Sequence, residues 1–287
     1  MMKNKNFRKM LNSPGAIVAP GVYDAMGARI VEKLGFSACY MTGNGTVASH
    51  LGLPDIGLAG VDEMTRVVRN ITARINIPLI SDADNGYGEL NNTWRAVRMF
   101  EASGASAIHI EDQISPKRCG AMKGVRIHSE EEAVEKIKIA LKARTDPDFV
   151  IIARTDARRL LGLEEATRRV RAFAEAGADV VFVEQLVNLE EIRHLVDKVN
   201  IAPVMYDILE ENKDMAFSVD EVINQGAKIV IFALSGILFA AQQLTSLYTN
   251  IRDFGTTKNI FEKLMPLHDY ENLLGLDEEN AIRDYLI

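Results

Sequence analysis

Asp82 and Asp84 stand one residue apart in the run DADNGYG. On an extended strand, residues i and i+2 share a face, so both carboxylates would project together from the end of one segment. Glu111 closes the next apolar run, AIHIED. Carboxylate oxygens of this kind suit Mg²⁺ or Mn²⁺, not zinc. The same acids could instead cap helices or form surface ion pairs, and spacing alone leaves both readings open. Gly86, Tyr87 and Gly88 follow immediately. Two glycines in so short a loop suggest backbone packed close to a ligand or a tight turn.

Other residues could do chemistry beside such a site. Thr42-Gly43-Asn44-Gly45 follows an apolar run and could present backbone N–H groups to a carboxylate or phosphate, or could simply be a turn. The segment Asp112–Arg126, DQISPKRCGAMKGVR, reads as a basic loop bearing Cys119. Lys117 and Arg118 beside that cysteine should favour its thiolate and lower its pKa. A mobile loop of this kind over an acidic site could act as a lid carrying a proton donor or acceptor, or be a solvated loop with an incidental thiol. Arg154 ends the apolar run FVIIARTD and should meet Glu184, Asp156 or an anionic ligand, because a charge so placed is rarely buried alone. Cys39, within an apolar run, reads as a small core residue. His109 reads as a hydrogen-bonded core residue, and neither it nor His50 is assigned a role.

These groups need elements to hold them. Eight short, β-rich apolar runs recur, beginning at Ala16, Ala38, Pro78, Ala107, Phe149, Val180, Ala202 and Ile229, with helical patterns between them. Near-continuous apolarity is what strands covered on both faces look like. Helices are expected over Val61–Arg74 and Glu164–Glu175, and the endings EASGAS, EAGA and NQGA repeat one helix-to-strand turn, with Gly177 as a left-handed cap. Eight strands without a G-x-G-x-x-G turn favour a closed (β/α)8 TIM-type barrel over a doubly wound sheet. The whole chain, residues 1–287, is read as one barrel domain, and 235–287 as a C-terminal helical tail whose apolar residues would dock on another subunit. In such a barrel the catalytic groups gather at the carboxyl ends of the strands. Acidic residues ending several strands would repel one another there unless a cation sits between them.

Composition narrows the partners. A net charge of -7 argues against a surface that holds nucleic acid or anionic lipid. Two cysteines cannot make a disulfide framework, and MMKNKNFRKML lacks the long apolar run of a signal peptide, so a reducing, cytoplasmic setting is expected. Even IVIFALSGILFAA is too short to cross a bilayer. Small-molecule substrates and metal cations remain.

Taken jointly and in order, the motifs YMTGNG at Tyr40–Gly45, LPD at Leu53–Asp55, DADNGYG at Asp82–Gly88, IED at Ile110–Asp112, KRCG at Lys117–Gly120, ARTDA at Ala153–Ala157 and VEQ at Val183–Gln185 cover essentially the whole chain. This combination resembles the isocitrate lyase and phosphoenolpyruvate mutase superfamily, whose carbon–carbon lyases carry KRCG. The resemblance implies a Mg²⁺ site at Asp82 and Asp84, with Asp55 and Glu111 in the acidic cluster around the metal's waters. It implies that Thr42, Gly43 and Asn44 bind the substrate's α-carboxylate, that Arg154 and Glu184 contact substrate, and that Cys119 and Gly120 belong to the catalytic gating loop. Tyr40 is implied as a base by its place in the family. The family also implies a homotetramer with an exchanged C-terminal helix.

Departures from the family pattern bear on the substrate. The histidine that methylisocitrate lyases place after KRCG is Ala121 here, and an Asn-x-Thr group at the seventh strand becomes Asp207-Ile208-Leu209. An ungapped alignment puts Leu238 and Leu267 where those lyases have carboxylate-binding arginines. Leucines cannot supply the bidentate partner of a carboxylate, and apolar surface disfavours a buried anion. A tricarboxylate is therefore disfavoured, and a methyl-bearing malate is expected in a pocket touching Leu209 and Leu238. The activity so implied is Mg²⁺-dependent retro-aldol cleavage of a 2-hydroxy dicarboxylate of the 2,3-dimethylmalate type to pyruvate and propionate. The alternatives are 2-methylisocitrate cleavage to pyruvate and succinate, oxaloacetate hydrolysis or decarboxylation, and a phosphonopyruvate-type reaction on the same scaffold. Asp207 has no assigned place in this reading.

Overall fold

The computed structural model describes residues 2–208, 210 and 213–284. Eight parallel strands, β1 (Ile17–Val22), β2 (Cys39–Met41), β3 (Leu79–Asp82), β4 (Ala107–Glu111), β5 (Val150–Thr155), β6 (Val180–Val183), β7 (Val204–Asp207) and β8 (Ile229–Phe232), pair in sequence order. The pairing of β1 with β8 closes the barrel. All eight lie within the apolar runs expected to form them. The helices expected near residues 61–74 and 164–175 form at Val61–Thr72 and Leu163–Glu175. Gly177 takes the left-handed conformation after the second of these, as do Gly104 and Gly226 at the two sibling turns.

Strand alternation sorts the core into two shells. Side chains facing outward from the strands pack under the helices in one large apolar cluster. Those facing inward form a second, including Ala19, Ile80, Ile152 and Met205, closed at the amino-terminal end by Phe7 and Leu11 of the helix Met2–Asn12. Alternate strands contribute residues to one level of such a barrel. By register, Tyr40, His109, Phe182 and Ile231 of the even strands make one level. The next level, from the odd strands, is Gly21, Asp82, Arg154 and Asp207, and Thr42, Glu111 and Glu184 follow at the rim. The inward-facing pattern thus passes from apolar to ionic within two residues.

The chain divides into two compact units, Met1–Gly236 and Ile237–Ile287. The second contains most of the helix Ser235–Phe254, a short 3₁₀ segment Lys258–Lys263, and the helices Leu267–Leu274 and Leu276–Asp284. The helix Ser235–Phe254 buries none of its side chains, and Leu238, Phe239, Leu244, Tyr248 and Phe254 are all exposed. Among the described residues, no helix is long and apolar enough to cross a membrane.

Phe7 is fully buried at the amino-terminal end of the barrel, where its ring has no route to water. Phe7→Ala should lower the unfolding free energy by about 3–5 kcal/mol, the usual cost of removing a buried ring, as read by urea unfolding. A loss below about 1 kcal/mol would show that the helix is not part of the core.

Candidate active site

The carboxyl ends of the strands collect Asp82, Glu111, Arg154, Glu184 and Asp207, and the adjoining loops add Asp55, Asp84 and Asp156. After β3 the chain turns sharply. Asp84 adopts a positive φ of 47°, its N–H donates to Asp82 Oδ1 at 2.9 Å, and its carbonyl accepts from the Glu111 N–H at 3.0 Å. The three carboxylates singled out by spacing are therefore tied to one another through the backbone. Gly43 begins the helix Gly43–Leu51 against the Asp82 side chain, where a Cβ would overlap the carboxylate, so only glycine fits. Thr42 caps that helix by accepting the Gly45 N–H at 3.3 Å.

Two cations are set among these acids. Arg154 donates through Nε and Nη2 to both oxygens of Asp156, at 3.1 and 2.9 Å. It also lies 3.5 Å from Glu111 Oε2 and from Glu184 Oε2, and 5.4 Å from the Phe182 ring centre. Lys117, which sequence reasoning treated only as a neighbour of Cys119, places Nζ 2.6 Å from Asp55 Oδ1 and 2.5 Å from Asp84 Oδ1. All of these groups are buried.

Negative charge still exceeds positive. Burial pushes the Asp84 carboxyl up to about 7 against the pull of Lys117, and burial pushes Glu184 up to about 7 against Arg154. Glu111 is driven well above the carboxylate range, chiefly by burial, and its Oε1 has no hydrogen-bond partner. An excess of buried oxygen donors with an orphaned atom fits a hard divalent cation. Among the described residues, no group of three His, Cys, Asp or Glu side chains is arranged to hold an ion directly.

The basic loop closes over this mouth. An isolated antiparallel bridge between Gln113 and Ile127 forms its base. The Gln113 amide holds Arg118 from both sides, donating to its carbonyl at 2.8 Å and accepting its N–H at 2.9 Å. Cys119 N–H donates to the Asp55 carbonyl at 2.9 Å. Gly120 lies so close to the far wall that a Cβ there would come 2.5 Å from Glu184 Cγ and 2.6 Å from Arg154 Nη2. A cavity of about 190 Å³ remains between the loop and the ends of β5 and β6, lined in part by Gly120, Met122, Asp156, Arg159 and Glu184.

One sequence expectation is overturned here. The Cys119 thiol is not activated by its basic neighbours, because burial pushes it up to about 11. Lys117 turns instead to Asp55 and Asp84, so its charge does not stabilise a thiolate. Asn44 hydrogen-bonds the sulfur and pulls the other way, too weakly to reverse the effect of burial.

The sequence and the fold have known relatives. The sequence profile of the phosphoenolpyruvate phosphomutase family matches residues 7–252. The chain belongs to that family. Within the family it is 38% identical over 271 residues to a 2,3-dimethylmalate lyase of Eubacterium barkeri, covering 94% of this chain and 93% of the relative. It is 38% identical to a 2-methylisocitrate lyase of Aeropyrum pernix, over 93% of this chain and 86% of the relative. A solved oxaloacetate acetylhydrolase, bound to 3,3-difluorooxalacetate, superposes with a TM-score of 0.93 at 33% identity, covering 99% of this chain and 97% of that one. A family of enzymes that handle small acids accords with a mouth built from carboxylates and two cations.

The remaining sequence candidates are placed as follows. Tyr40 lies inside the barrel, its hydroxyl 2.8 Å from His109 Nε2. Burial first, and Asp82 next, hold its phenol well above the ordinary range. Asp207, unplaced in the sequence, accepts the Ala233 N–H at 3.0 Å. Leu209 lies outside the described residues. Leu238 and Leu267 belong to the second unit, where they are 51% and 70% exposed. Lys117 was missed as a site member, whereas Asp156 meets Arg154 as one of the partners expected for it. A signal for Lys117 was present in the sequence: a cation two residues before Cys119, in a loop expected to cover acids.

A thiol near 11 should react slowly. Cys119 alkylation by iodoacetamide at pH 8, followed by mass spectrometry, should run about a hundredfold below an unperturbed cysteine and should keep rising toward pH 11. A rate that levels off by pH 9 would contradict the assignment.

Proposed function

We propose that the protein is a Mg²⁺-dependent carbon–carbon lyase that cleaves a 2-hydroxy dicarboxylate of the 2,3-dimethylmalate type into pyruvate and propionate. The observation that carries this reading is the Cys119 loop. It holds a protonated thiol over an acid-lined mouth, and cleavage of a carbon–carbon bond to a carboxylic acid needs a proton donor for the departing carbon. Phosphoryl transfer on the same platform needs none. The 38% identity to a 2,3-dimethylmalate lyase supports the choice of substrate.

Each group on the chain then has a task. The helix start at Thr42, Gly43 and Asn44 offers backbone N–H groups to the α-carboxylate, in the field of the helix N-terminus. Arg154, held in plane by Asp156, adds positive charge where negative charge develops on the C2 oxygen. Asp82 and Asp84 would hold the Mg²⁺ or Mn²⁺ ion, with Asp55 and Glu111 gripping its waters. When bound, the ion supplies Lewis-acid polarisation of the carboxylate and hydroxyl oxygens. A carboxylate of the mouth takes the hydroxyl proton, and C2 becomes the carbonyl of pyruvate as the C2–C3 bond breaks. The electron pair stays on C3, and Cys119 Sγ–H gives its proton to that carbon. Gly120, packed on Arg154 and Glu184, seals the space against water.

The chain is further proposed to form a homotetramer in which the C-terminal helices are exchanged. A helix of this length that buries no side chain within its own chain supports that reading. Light scattering should return four times the 31.8 kDa chain mass, and a monomer would overturn it.

The activity is tested by pyruvate release from 2,3-dimethylmalate, 2-methylisocitrate, oxaloacetate and phosphonopyruvate, each with Mg²⁺. Dimethylmalate should give the highest kcat/KM, and preference for any other acid would replace this substrate with that one. Cys119→Ser should lower kcat by about a hundredfold or more while leaving Mg²⁺ affinity unchanged. Near-normal turnover would remove Cys119 from the proposed chemistry.

A further inference from the structure

His109 is fully buried within the barrel, and the chemistry above gives it no task. It shares one level with Tyr40, and the two rings stack at 5.7 Å with 15° between their planes. Phe182, at the same level, meets the imidazole edge-on at 5.8 Å. Nε2 lies 2.8 Å from the Tyr40 hydroxyl and 3.6 Å from Asp82 Oδ1, whereas Nδ1 is buried with no hydrogen-bond partner among the described residues.

Those positions decide where the ring hydrogen sits. Nδ1 has no acceptor for a hydrogen, in the neutral ring or in the imidazolium, so the geometry accommodates a ring with a single N–H. On Nδ1 that hydrogen would be a buried donor without an acceptor, and the Nε2 lone pair would face the Asp82 carboxylate. Orphaned buried N–H groups are rare because they forfeit a full hydrogen bond. On Nε2 the same hydrogen faces two oxygens, and Nδ1 keeps only a lone pair. His109 therefore donates to the Tyr40 oxygen. The Tyr40 hydroxyl hydrogen is left for another acceptor, and a phenol that already accepts a hydrogen bond is a stronger donor.

We propose that His109 is a positioning residue: by donating Nε2–H to Tyr40 it orients the Tyr40 hydroxyl as a hydrogen-bond donor to the C2 oxygen of the substrate. This places Tyr40 as a donor to developing negative charge and not as a base. Only the identity of the acceptor rests on the lyase reading. The His109–Tyr40 geometry stands without it.

Two measurements test the proposal separately. In ¹⁵N-histidine-labelled wild-type protein, side-chain NMR should show His109 with its hydrogen on Nε2, and Tyr40→Phe should move that nitrogen's resonance. A hydrogen on Nδ1 overturns the proposal whatever the protein catalyses. In kinetics, His109→Phe, which keeps a ring but has no N–H, should lower kcat about tenfold to a hundredfold with KM within about threefold. His109→Gln, whose amide nitrogen can occupy the Nε2 position, should restore most of that loss. The double variant Tyr40→Phe/His109→Phe should be no slower than Tyr40→Phe alone, because His109 acts only through Tyr40. Additive losses, or equal losses in the Phe and Gln variants, overturn the role. If His109→Phe fails to fold, the Gln variant and the NMR result still decide. If wild-type protein turns over none of the test acids, the reaction fails while the NMR result still judges the His109 donor.

Discussion

An excess of buried negative charge at the carboxyl end of the barrel is the constraint on which the rest of this structure depends. Among the described residues, Asp55, Asp82, Asp84, Glu111, Asp156, Glu184 and Asp207 share the cations Lys117 and Arg154, and burial drives Asp84, Glu111, Glu184 and Asp207 toward their neutral forms. Such a mouth can persist only on a frame that cannot relax. The closed barrel is such a frame, because every strand is paired on both sides and its inner levels are packed with Ile80, Ile152, Phe182 and their neighbours.

The same constraint links the loop to the site. Lys117 reaches Asp55 and Asp84 from the loop that lies over the barrel mouth. Asp55 is engaged twice, by the ammonium at its carboxylate and by the Cys119 N–H at its carbonyl. The lysine that pairs with the acids and the thiol are therefore carried on one loop, two residues apart. Burial around the sulfur raises the thiol pKa and disfavours the thiolate nucleophile.

Neutral groups beneath the charges set a second boundary. The level made by Tyr40, His109, Phe182 and Ile231 separates the apolar interior from the ionic mouth. Its polar members, Tyr40 and His109, meet through one hydrogen bond. Arg154 stands on the Phe182 ring, so this level also positions the principal cation from below.

By itself the sequence determined the strands, the barrel and most of the acids. Strand apolarity, the spacing of Asp82 and Asp84, and the helix-ending glycines are local properties that any reader of the chain meets in order. The cation and thiol of KRCG were also visible as residue types. What only the tertiary structure decided is which group meets which across the barrel: Lys117 with Asp55 and Asp84, Asp207 with the Ala233 N–H, and His109 with Tyr40. Those pairs come from strands and loops far apart in the chain, and register and closure alone bring them together. The Cys119 thiol shows the consequence most plainly. Its neighbours in sequence argue for a low pKa, but its environment in space is buried and its lysine is turned away, so the opposite holds.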